Sequence, residues 1–92
     1  MEFFKDSTRA NKKYMTKING QIYHFGSKGS QTYLDHKDKA KRSAYFARHR
    51  AREDWKTVNP GSLSKYILWG SHTSLEKAIK SYLKKFKIED LR

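Results

Sequence analysis

Tyr14-Met15-Thr16-Lys17-Ile18-Asn19-Gly20-Gln21-Ile22-Tyr23-His24-Phe25 is the stretch that decides the fold. Two runs rich in β-branched and aromatic residues flank Asn-Gly, the dipeptide that best accepts the positive φ angles of a tight hairpin turn. A two-residue turn sets the register, with Thr16 opposite Tyr23 and Tyr14 opposite Phe25 on one face. An isolated hairpin is only marginally stable in water. This aromatic face is therefore expected to pack on helices.

Towards the C-terminus, Gly26-Ser27-Lys28-Gly29-Ser30 ends the hairpin. It lacks the spacing and the Lys-Ser/Thr ending of a P-loop, so it reads as a turn that needs positive φ, with Lys28 as a candidate phosphate contact. Residues 35–55 then read as one long helix. Asp35 is the expected N-cap, and Asp38 sits in the first turn, where the helix dipole favours a negative charge. Ala40, Ala44, Ala47 and Ala51 recur at helical spacing and form one narrow face, expected to let another element approach closely. Tyr45, Phe46 and Trp55 flank that stripe, and Lys37, Lys39, Lys41, Arg42, Arg48, Arg50 and Arg52 occupy the remaining surface.

The turn-like run Lys56-Thr57-Val58-Asn59-Pro60-Gly61 follows. Ser62 is expected to cap a short helix, Leu63 to Trp69, which Gly70 stops. Thr73 and Glu76 have capping-box spacing. After them Leu75, Ala78, Ile79, Tyr82, Leu83 and Phe86 line one helical face, opposite Lys77, Lys80, Lys84 and Lys85. In the other direction, residues 1–13 are polar and without periodicity. They read as a flexible basic arm, with Phe3-Phe4 as its anchor. The expected architecture is α+β: an N-terminal β-hairpin packed on one long basic helix and two shorter C-terminal helices. Residues 14–92 would form a single compact basic domain, its core spanning about residues 14–88 with Trp55 and Trp69 largely buried.

Composition narrows the function. The chain of 92 residues suits one domain, and with 36% hydrophobic residues it has little apolar surface to spare, so its 14% aromatic residues must carry much of the packing. The absence of cysteine excludes disulfides and cysteine-ligated metals, and it suits a reducing compartment. The N-terminus has no apolar signal-peptide region, and the longest apolar run, Tyr66-Ile67-Leu68-Trp69, is far short of the ~20 residues a membrane span needs. The expectation is a soluble protein that is neither secreted nor bound to membranes.

Charge is the dominant feature. Twenty-one Lys and Arg oppose nine Asp and Glu, for a formal net charge of +12 spread along the whole chain. Such self-repulsion favours a polyanionic partner. Enzyme chemistry is not expected. The histidines His24, His36, His49 and His72 lack the mutual spacing of a metal site, and His36 near Asp38 is too little to count. No nucleophile motif occurs, and Glu53-Asp54 reads as an ordinary charged patch or as salt-bridge partners for Arg48, Arg50 and Arg52 rather than as the acidic pair of a metal-dependent nuclease. No cofactor is implied. The basic helix suits phosphate contacts, which need charge and reach but no sequence code. Lys28, Lys37, Lys41, Arg42, Arg48, Arg50 and Arg52 are the candidate nucleic-acid-binding residues.

Residues 22–86 also resemble a family of small basic proteins and domains encoded by large nucleocytoplasmic DNA viruses and found in some other large viruses. The resemblance rests on Phe25-Gly26-Ser27-Lys28-Gly29, His36-Lys37-Asp38, Tyr45 with Arg48-His49, and Arg52-Glu53-Asp54-Trp55. It continues through Gly61, Leu63-Ser64, Ile67-Leu68-Trp69-Gly70, Leu75, Ala78-Ile79, Tyr82 and Lys85-Phe86. The chain departs from the family pattern at Thr32, where an acidic residue often precedes the tyrosine, and after Trp69, where a proline is frequent. The family has no established activity, so the resemblance implies a viral setting, with a location in the virion or the host-cell interior. Two roles follow: a nucleic-acid-binding protein that coats the genome, with DNA favoured over RNA, or a minor virion protein that binds capsid proteins.

Overall fold

A computed structural model describes residues 1–90. Strands β1 (Glu2–Phe4), β2 (Lys12–Ile18) and β3 (Gln21–Ser27) form an antiparallel sheet in the order β1-β2-β3. The hairpin has the register its turn dictates, Thr16 with Tyr23 and Tyr14 with Phe25. Asn19 and Gly20 adopt φ of 50° and 80°. Helices follow: α1 (Tyr33–His36), α2 (Lys39–His49), α3 (Pro60–Leu63) running directly into a π-helical turn (Ser64–Leu68), and α4 (Leu75–Phe86). The class is α+β.

The first residues are not a free arm. Phe3 sets its ring 5.4 Å from Tyr14 and 6.1 Å from Phe25, and Met1 is buried in the core. The hydroxyl of buried Thr16 donates to the Glu2 carbonyl at 2.6 Å, and the Met1 ammonium donates to the Glu89 carbonyl. Burying two large side chains and pairing a third strand offsets the entropy of ordering the segment. The core therefore starts at residue 1, and only the connection from β1 to β2 is polar and exposed.

The expected long helix is two helices. Asp35 does not cap one. It closes a capping box from the third position, accepting the Thr32 N–H at 2.7 Å, and that bond holds its carboxyl below the usual range. Lys37 then takes φ of 54°, and Asp38 becomes the true N-cap, accepting from the N–H groups of Ala40 and Lys41. Helix α2 ends at His49 rather than residue 55.

Its orientation is also the reverse of the sequence reading. Ala40, Ala44, Ala47 and Ala51 are exposed, and α2 docks through Tyr45, with Arg42, Phe46 and His49 half-buried beside it. Tyr45 lies flat on Trp69, centroids 4.4 Å apart and planes 3° apart. Two rings and an arginine stem remove more apolar surface from water than four methyl groups, so they take the inner face.

Asn59, not Ser62, caps the next helix, with Pro60 at its first position. The following turn widens, the Trp69 N–H bonding to the Ser64 carbonyl. Ser74 caps α4, one residue after the position expected, and Ala78, Ile79, Tyr82 and Leu83 form its buried face. These meet Ile18, Phe25, Leu63, Ile67 and Leu68 in one cluster. Ser62 and the Tyr82 hydroxyl share a buried hydrogen bond of 2.8 Å, and burial pushes the Tyr82 phenol up to about 12. The sheet rests mainly on α3 and the π-helical turn. Trp55 and Trp69 are half-buried rather than enclosed, Trp69 packing against the edge of this core and Trp55 against Phe46.

Candidate nucleic-acid interface

Helical spacing makes the exposed Ala40, Ala44 and Ala47 of α2 a low ridge on the side away from Arg42, Phe46 and His49. Lys41 and Arg48 stand on one flank of that ridge and Lys39 on the other, while Arg50 and Arg52 follow at the C-terminal end of the helix; all five are exposed. None forms an ion pair among the described residues, where the salt bridges are Lys13–Asp35, His49–Glu53 and Lys80–Glu76.

Other cations are committed to the fold. Arg42 sends its Nε to the Trp69 carbonyl at 2.8 Å and lays its guanidinium 4.6 Å from the Phe46 ring and 5.6 Å from Tyr33. Lys65 places its ammonium 4.4 Å from Trp55 and 4.5 Å from Tyr66. Of the seven candidate residues, Arg42 is therefore a packing residue. Lys41 and Arg48 share one flank of α2, and Arg50 and Arg52 follow its C-terminal end. Lys37 ends α1 with its ammonium on the Leu34 carbonyl, and Lys28 lies at a separate shallow cleft with Lys5, Lys12 and Lys13.

Arg42→Ala is expected to destabilise the protein by about 2 kcal/mol, through the lost charge-assisted hydrogen bond and the lost cover over two rings. Thermal unfolding checks this, and an unchanged Tm would return Arg42 to the surface set.

A second cleft of about 420 Å³ opens where α2 faces β3 and the π-helical turn. Tyr45, Arg48, His49, Glu53 and Lys12 all line it. His49 Nδ1 is 3.0 Å from one Glu53 oxygen, and the Trp55 indole donates to the other at 2.9 Å. The Tyr45 ring stacks 4.3 Å from His49, and burial raises its phenol pKa far above the ordinary value, with Glu53 adding to the effect. Glu53 thus serves His49 and Trp55, not the arginines. Asp54 accepts the N–H of Lys56 and the hydroxyl of Thr57, which lowers its pKa. The four-residue spacing of His49 and Glu53 was visible in the sequence, whereas the approach of Lys12 from β2 was not.

Among the described residues no group of three or more His, Asp or Glu is placed to hold a metal ion, and no helix is long and apolar enough to cross a membrane. No curated protein and no solved structure matches the chain. A model of the Family of unknown function (DUF5754) matches residues 3–49, from β1 to the last residue of α2, just over half of the sequence. All of the strands but Glu2, both capping carboxylates and the basic helix lie inside that match, and the chain belongs to this family of unknown function.

Proposed function

We propose that the protein binds nucleic acid, duplex DNA ahead of RNA, through phosphate contacts along the outer face of α2 and without reading sequence. The observation that carries this is the exposed alanine ridge bracketed by Lys39, Lys41, Arg48, Arg50 and Arg52, none of them ion-paired among the described residues. Small side chains let the helix axis come close to a polyanion while long basic ones reach phosphates on either side. Net charge of +12 supplies the attraction and is relieved by binding. In the viral setting that the sequence resemblance implies, this activity would coat or condense a genome. No catalytic step is assigned.

Phosphate binding releases condensed counterions, so the logarithm of the affinity falls with the logarithm of salt at about 0.9 per contact. Five cations predict a slope of roughly −4 to −5, and a loss of several-hundred-fold in affinity between about 50 and 200 mM salt. Scrambling the DNA sequence is expected to leave affinity nearly unchanged. Anisotropy titrations of labelled duplex at several salt concentrations measure both.

A capsid-protein partner is the second reading. Phe4 and Ile22, 41% and 59% exposed on the outer face of the sheet, favour it. A salt slope near zero, with no binding to duplex at about 0.15 M salt, would replace the first reading by this one.

A further inference from the structure

The cleft beside α2 is too small for a duplex, but its volume of about 420 Å³ lies within the usual range of about 300–1,000 Å³ for small-ligand sites. Its chemistry is mixed in a specific way. Lys12 and Arg48 bring two cations to its wall against the single carboxylate of Glu53. Arg48 also belongs to the flank of the alanine ridge, so the cleft and the phosphate-binding face share a residue.

Three of its lining rings form a stacked ladder: Trp69 is 4.4 Å from Tyr45, with planes 3° apart, and Tyr45 is 4.3 Å from His49, with planes 28° apart. The ladder stops at His49, whose side chain is 32% exposed, so its end is open to a further ring. That last ring is also held in place. Its Nδ1 is tied to Glu53, and Glu53 is fixed in turn by the Trp55 indole. A ring with one face stacked and its edge hydrogen-bonded is a preorganised platform, and histidine is among the side chains on which unpaired bases stack.

We propose that this cleft seats one unpaired nucleotide of the strand that α2 holds, its base continuing the ladder from His49 and its phosphate against Lys12 and Arg48. The inference rests on the phosphate-binding reading and adds to it a preference for single strands, frayed ends and extrahelical nucleotides over continuous duplex.

The test compares a labelled blunt duplex with the same duplex carrying one extrahelical fluorescent adenine analogue. The bulged duplex is expected to bind roughly tenfold tighter, and the emission of the analogue to fall on binding as its ring stacks. His49→Ala is expected to erase both effects. His49→Phe, which loses the same Glu53 contact but keeps a ring, is expected to retain both.

Equal affinity for the two duplexes with unchanged emission, while both still bind in a salt-sensitive way, would overturn the seated nucleotide and leave the phosphate reading standing. Loss of the preference in both variants would overturn it as well, because His49 would then act only through its contact with Glu53. Failure to bind either duplex would overturn both proposals together.

Discussion

Replacing Lys41, Arg48 and Arg52 together by Glu is expected to weaken duplex binding by on the order of a hundredfold or more at low salt, and to bring the salt slope from roughly −4 or −5 to about −2 or shallower. Three of the five proposed phosphate contacts disappear, and three carboxylates come to face the backbone in their place. The fold should be little affected. All three side chains are exposed, none is ion-paired among the described residues, and each reversal removes two units from a net charge of +12, leaving +6 and less self-repulsion. Arg42 is left unchanged because its guanidinium covers Phe46 and Tyr33. Anisotropy titration together with thermal unfolding separates lost binding from lost structure. Wild-type affinity in a folded triple variant would remove α2 as the binding surface.

Gly70→Ala is expected to cost about 3 kcal/mol or more, a large part of the roughly 5–10 kcal/mol that holds a domain of this size. A Cβ at residue 70 would lie 2.4 Å from the Tyr66 carbonyl oxygen and 3.2 Å from its carbon, and both are backbone atoms that cannot rotate away. The cause is the π-helical turn, which brings the chain back across its own preceding carbonyl. Relief would require moving Trp69, on which Tyr45 and hence α2 are seated. A fall in Tm of roughly 12–24 °C is expected, from the usual 4–8 °C per kcal/mol for small domains. A Tm within about 3 °C of wild type would show that this turn relaxes at little cost. Gly70 follows the turn as a helix stop should, but it has no positive φ, and close approach is what demands a glycine there.

Two parts of the fold were legible because they depend on neighbours in the chain. Asn19-Gly20 dictates the hairpin and its register through backbone conformations that few other residues accept. The pattern from Leu75 to Phe86 determines the face of α4, since every large apolar residue there falls on one side. Helix caps were misplaced where several capping residues competed, by one residue at Thr73 and Ser74 and by three at Asp35 and Asp38.

Tertiary structure decided the remainder, and for one physical reason. Helical periodicity shows which residues share a face, but burial goes to the face that removes more apolar area from water against the partner available. On α2 the regular stripe was alanine, while the larger area belonged to Tyr45, Phe46 and the stem of Arg42, whose partners Trp69 and Tyr33 lie elsewhere in the chain. The same long-range packing turned Glu2–Phe4 into an edge strand, anchored by Met1 and Phe3, and brought Lys12 to the cleft that His49 and Glu53 line. Charge, class, hairpin and last helix were thus determined by the sequence on its own; which cations remain free at the surface, and which are consumed beneath rings, was decided only when the distant aromatic residues met.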